Sequence, residues 1–190
     1  TRRTIEGQAM DIGWARDSRY DITPEDYLVM ATHKTAHYSG AVPLAIGAIV
    51  GGGSEEEIEA LRHYGLATGL AFQIQDDLLN LIGSEESTKK DFRNDPTEGK
   101  RTLVVVHAIQ HADEQDRARL IEILSSHEKD PAVLAEAVDI MEKTGSIQYA
   151  RDYASRLTDE AKQTLVEQVP QTDARDLLLS MADWFVNRLQ

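Results

Sequence analysis

Apolar residues recur at intervals of three and four along most of this chain, and the polar stretches between them are short. That spacing predicts helices. Thr23-Pro24-Glu25-Asp26 supplies an N-cap, a proline at the first helical position and early acids, so a helix opens there. The pattern continues to about Gly51, with Pro43 inside it; the missing N–H predicts a kink or break. Gly51-Gly52-Gly53 ends that unit, and Ser54-Glu55-Glu56-Glu57 reads as a capping box opening a second long helix to about Ile82. Residues 83–99 are polar and aperiodic and read as a loop. Helical signals resume over 100–111 and recur near 114–127, 131–144, 146–157, 159–168 and 173–189. Leu103-Val104-Val105-Val106 has the β-branched character of a strand, but no second segment of that kind offers it a partner. Long helices with short connections predict a single all-α bundle over residues 1–190.

Composition narrows the functional classes. A net charge of -13, from 33 acidic and 20 basic residues, argues against a nucleic-acid binder, because phosphate contacts need a basic surface. An anionic small molecule remains compatible, since a few local cations can invert the field. Seven Lys against thirteen Arg in so acidic a chain would suit a salt-rich cytoplasm. The absence of Cys removes disulfide and thiol chemistry and fits a cytoplasmic location. No apolar run approaches the ~18 residues of a membrane span.

The strongest chemical signal is Phe72-Gln73-Ile74-Gln75-Asp76-Asp77-Leu78-Leu79-Asn80. On a helix Asp76 and Asn80 share a face, and Asp77 lies about 100° around the barrel. Two adjacent ionised carboxylates among apolar neighbours are costly unless a cation or a water-filled cavity receives them. Oxygen ligands without His or Cys point to Mg²⁺. Lys34-Thr35, about two turns before Pro43, can offer an ammonium and a hydroxyl to a phosphate–metal cluster. Lys89, Lys90, Arg93, Lys100 and Arg101 cluster just downstream and read as an anion clamp or lid. Gln8 and Asp11 lie three apart on one helical face. His33/His37 and His107/His111 have i,i+4 spacing but lack the Glu of an H-E-x-x-H zinc site. No G-x-G-x-x-G after a strand, G-K-[ST] loop or G-x-S-x-G element occurs.

Taken in order, Gly7-Gln8-x-x-Asp11, Lys34-Thr35, Phe72-Gln73-x-x-Asp76-Asp77-x-x-Asn80, Lys90 and Gly99-Lys100-Arg101-Thr102-Leu103 resemble the trans-type polyprenyl diphosphate synthases. The resemblance covers residues 1 to about 110. It implies an isoprenoid-synthase-type helical bundle, commonly a homodimer, that condenses isopentenyl diphosphate with an allylic diphosphate by Mg²⁺-assisted ionisation. On that likeness Asp76 would be the principal metal ligand, and Asp77 and Asn80 would hold metal-bound waters. Lys34 and Lys90 would grip the allylic diphosphate, and Lys100 would close over it. Thr35 and Gln73 would sit beside the cation; Phe72, Gln8 and Asp11 would line or brace the substrate cavity.

Two departures qualify the likeness. The last position of the Asp-rich motif is Asn80, which keeps an oxygen but loses a charge. The family's other Asp-rich motif, D-D-x-x-D or D-D-x-x-x-x-D, occurs nowhere in residues 1–190. The expectation is therefore the C-terminal part of a synthase, its bundle incomplete at the N-terminal side, inactive by itself, and paired with a copy of itself or with the missing N-terminal segment. The alternative is a non-catalytic subunit of a heteromeric synthase. A terpene cyclase would carry an N-S-E-type metal motif, which is absent.

Overall fold

A computed structural model describes residues 2–83, 94–127 and 129–186. Their elements are α1 (Arg2–Arg16), α2 (Pro24–Ala31), a π-helical segment (Thr32–Ala41), α3 (Val42–Val50), α4 (Glu55–Ile82) and α5 (Asn94–Thr97). Then follow α6 (Leu103–His111), α7 (Glu114–Ser126), α8 (Pro131–Lys143), α9 (Ser146–Gln168) and α10 (Asp173–Val186). No strand occurs among the described residues. None of the described helices is long and apolar enough to cross a membrane.

Caps set the helix starts as the sequence predicts. Thr23 Oγ1 accepts from the Asp26 N–H at 3.2 Å, and Asp26 Oδ2 accepts from the Thr23 N–H at 3.0 Å. Ser54 and Glu57 make the same reciprocal box at 3.2 and 2.7 Å. At the far end of α3 the Gly53 N–H reaches Ala48 O and the Gly52 N–H reaches Ile49 O, with Gly52 at φ 76°. This left-handed turn is the one glycine tolerates best.

Four expectations need correction. Pro43 does not break its helix. The Val42 N–H bonds back five residues to His37 O, so Pro43 falls where π hydrogen bonding gives way to α, and its missing donor does little damage. The separate helices near 146–157 and 159–168 are one, α9; buried Thr158 turns its hydroxyl onto Ala154 O within the helix and does not cap a new one. Helix α6 starts at Leu103, capped by Thr102, not at Lys100, and its valines are buried helical core. Residues 94–97, within the expected loop, form the turn α5.

The chain divides into two compact units. The first comprises Thr1–Gln8, Ala31–Gln75 and Asp152–Gln190. Here the π-helical segment lies backbone against backbone on α4. A Cβ on Gly40 would overlap Gly65 O, and one on Gly65 would stand 2.5 Å from Gly40 O. One turn on, a Cβ on Gly69 would meet the Ala36 Cα at 3.0 Å. Tyr64, Ala67, Ala161, Leu165 and Ala182 form its buried cluster, flanked by Leu44 and Leu178. The second unit comprises Ala9–Met30 and Asp76–Arg151. Its buried apolar residues include Tyr27 and Met30 of α2 and residues from the end of α4 (Leu78, Leu81), α6, α7 (Leu120, Ile123, Leu124) and α8 (Leu134, Met141). Helix α4 runs through both units and carries the Asp-rich motif on its last turns.

Candidate active site

The first unit brings together three of the expected residues. Lys34 and Thr35 stand on the π-helical segment, a conformation often found at functional sites. Ser39 turns its hydroxyl to Thr35 O at 2.7 Å. The close approach at Gly40 and Gly65 places the Thr35 hydroxyl where it donates to Gln73 Oε1 at 2.7 Å. Below this pair opens a cavity of about 400 Å³, walled by Thr35, Tyr38, Leu44, Tyr64, Phe72, Met181 and Phe185. Phe72 and Phe185 meet edge to face with ring centroids 5.3 Å apart. Lys34 is half-buried, and Gln8 is exposed on α1.

The second unit holds the carboxylates. Asp76 is exposed and Asp77 half-buried. Tyr27, 1% exposed on α2, donates its hydroxyl to Asp77 Oδ2 at 2.7 Å. Burial and the charges of Asp77, Asp11 and Asp95 push the Tyr27 phenol well above its usual pKa, so it remains the donor. Asp11 is itself buried. Asn80 Oδ1 accepts the Asp95 N–H at 3.0 Å, tying α4 to the start of α5. Lys100 Nζ sits 2.6 Å from Asp95 Oδ1 and 3.2 Å from Glu98 Oε2. Burial pushes the Asp95 carboxyl up against the pull of Lys100. Burial also opposes the Lys100 ammonium, but the Asp95 hydrogen bond and charge outweigh it and hold its pKa above the ordinary lysine range.

The basic cluster separates into different roles. Lys89, Lys90 and Arg93 lie outside the described residues. Arg101 is not part of a clamp: 2% exposed, it donates Nε to Arg19 O at 2.5 Å and Nη1 to Gly99 O. Its guanidinium also covers the Tyr20 ring at 4.0 Å. A cation spent on backbone carbonyls and a ring is a core brace. His107 and His111 stack on one another at 3.8 Å, with Tyr149 on the far face of His107 at 4.0 Å.

Whether the carboxylates suit Mg²⁺ is a question of donor chemistry. Asp76 and Asp77 are adjacent on one helix end, one open to solvent, with Asn80 a turn further and no His or Cys between them. Among the described residues no group of three or more His, Asp or Glu is placed to close around a metal. A hard ion that keeps most of its waters and takes one or two protein carboxylates plus substrate phosphates fits such a half-shell; a fully protein-caged ion does not.

Sequence reasoning missed Tyr27, Asp95 and the helix contact. The contact had a signal in Gly65-x-x-x-Gly69 facing Ala36-x-x-x-Gly40, small residues at helical spacing. Tyr27 and Asp95 had none, being distant in sequence from their partners.

Comparison with known proteins places these features in a family. The model of the polyprenyl synthetase family matches residues 1–141. A short chain isoprenyl diphosphate synthase of Methanothermobacter thermautotrophicus is 45% identical over 186 residues, covering 98% of this chain and 55% of its own. A geranylfarnesyl diphosphate synthase of Natronomonas pharaonis is 39% identical, covering 96% of this chain and 51% of its own. Among solved structures, a geranylgeranyl pyrophosphate synthase from Corynebacterium glutamicum, complexed with isoprenyl diphosphate and magnesium, superposes with a TM-score of 0.90 at 30% identity. That match covers 98% of this chain and 52% of the other. The chain thus spans about half the length of the curated relatives it matches.

Proposed function

Because the chain belongs to the polyprenyl synthetase family, we propose that its protein is a trans-prenyltransferase condensing isopentenyl diphosphate with an allylic diphosphate, with Mg²⁺ at Asp76 and Asp77. The observation that carries the reading is the adjacent carboxylate pair at the end of α4, one exposed and one held by a buried phenol, among oxygen donors only. When bound, Mg²⁺ would neutralise the leaving diphosphate and so assist ionisation of the allylic C–O bond.

The chain's own residues supply the rest. Asp76 presents its carboxylate to solvent and would bind the ion directly; Asp77 and Asn80 would orient its waters. Lys34 and Lys90 would neutralise diphosphate oxygens, and Lys100 would add its ammonium after exchanging Asp95 for the substrate anion. Thr35, its hydroxyl held by Gln73, lines a mainly apolar cavity, which suits a hydrocarbon substrate and a short-lived allylic cation. Phe72 lines that cavity, and Gln8 and Asp11 would brace the substrate. Helix α3 buries none of its residues and exposes Val42, Ile46 and Ile49, which supports assembly with a second copy or with a segment outside this sequence.

The test is incorporation of radiolabelled isopentenyl diphosphate into prenyl product, with and without chelator. Full turnover in excess EDTA would sink the metal reading. Residues 1–190 carry a single Asp-rich motif, Asp76-Asp77-x-x-Asn80, whereas an allylic diphosphate carries about three negative charges and needs several ions. We therefore expect no product from this chain alone; product free of contaminating synthase would overturn the need for a second Asp-rich motif. Asn80→Asp is expected to leave kcat within about threefold of the parent or raise it modestly, because a carboxylate still accepts the Asp95 N–H. A loss of about a hundredfold or more would show that Asn80 acts as an amide.

A further inference from the structure

We propose that Tyr27 is a positioning residue for this metal site, its phenol holding Asp77 in the orientation from which a divalent cation is bound. The inference rests on the metal reading above and goes beyond the Asp-rich motif, which lies 50 residues away along the chain.

Three observations carry it. The Tyr27 side chain is buried, so its hydroxyl has no bulk water to turn to and must find a protein acceptor. Asp77 Oδ2 is that acceptor at 2.7 Å, the length of a charge-assisted bond. The donor is also placed independently of α4. Pro24 and the reciprocal Thr23–Asp26 box fix the first turn of α2, and the Tyr27 N–H closes it onto Thr23 O at 3.1 Å. The ring therefore arrives at Asp77 from a rigid element.

The consequence is an asymmetric pair. Asp76 and Asp77 are like charges on successive residues, and unrestrained they would swing apart. With Oδ2 held, Asp77 keeps one orientation while Asp76 is exposed, and the phenol dipole offsets part of their repulsion before any cation arrives. Partners that orient a metal-binding group from behind typically change metal affinity by about 10- to 100-fold when removed.

The experiment compares the full chain with its Tyr27→Phe variant, which keeps the ring and removes only the hydroxyl. Binding of Mn²⁺ is followed by the electron paramagnetic resonance of the free ion, in the presence of inorganic pyrophosphate, well below both melting midpoints. The apparent Kd for Mn²⁺ is expected to rise about tenfold or more, with the melting midpoint little changed. Adding Asp77→Asn to the Tyr27→Phe background should weaken binding much less than Asp77→Asn does in the parent. A parental Kd in Tyr27→Phe, where Asp76→Ala weakens binding, overturns the role of Tyr27 and leaves the metal site standing. Unchanged Mn²⁺ binding in Asp76→Ala removes the metal reading and this inference with it. A loss of affinity that comes only with unfolding marks Tyr27 as a packing residue and also overturns the proposal.

Discussion

Asp76→Ala is expected to lower kcat for condensation at least ~100-fold in the active protein, the scale of removing one principal electrostatic stabiliser from a site where charge develops. Of the two carboxylates, Asp76 is the exposed one. Asp77 already spends one oxygen on Tyr27. Asp76 is therefore the residue for which an incoming cation competes only with water. Because an ion held there would act on the departing diphosphate, the loss should fall on kcat and kcat/KM together and should not be recovered by saturating substrate. The measurement is steady-state incorporation of labelled isopentenyl diphosphate at saturating Mg²⁺. Parental turnover in Asp76→Ala would remove Asp76 from the metal site.

Gly65→Ala should destabilise the protein by about 1–3 kcal/mol or more, although alanine is the better helix former. The added methyl would stand 2.5 Å from Gly40 O, 2.7 Å from Gly40 C and 2.9 Å from Leu44 Cδ1. Two of these are backbone atoms that cannot rotate aside, so the π-helical segment must move off α4. For a chain of this size each kcal/mol lowers the melting midpoint by about 2–4 °C. The displacement would also stretch the Thr35–Gln73 hydrogen bond, so activity should fall with stability. Gly47→Ala is the control: Gly47 is exposed on α3, with nothing within 4 Å of the added carbon, so that variant should gain up to about 1 kcal/mol. A melting midpoint for Gly65→Ala at or above that of the parent would contradict the close approach.

What the sequence by itself determined follows from interactions spanning a turn or two of chain. The three-to-four periodicity is a property of neighbours, and it was sufficient for an all-α fold. The caps at Thr23 and Ser54 satisfy backbone donors three residues away, and both form as read. The Phe72–Asn80 motif was legible because adjacent carboxylates within an apolar helical run are hard to explain without a cation. Where a local signal had two outcomes, packing chose. The strand-like valines of α6 became helix interior because burial there outweighs propensities of a few tenths of a kcal/mol. Tertiary structure alone decided how each oxygen and cation of the candidate site is used. Tyr27 reaches Asp77 across 50 residues, Thr35 reaches Gln73 across 38, and Asp95 reaches Asn80 across 15. Arg101, next to Lys100 in sequence, was drawn into the core by Arg19 O, 82 residues distant. Such partners leave no periodic trace, because a side-chain hydrogen bond depends on where two backbones meet; here one such meeting is set by the absence of a Cβ on Gly40 and Gly65.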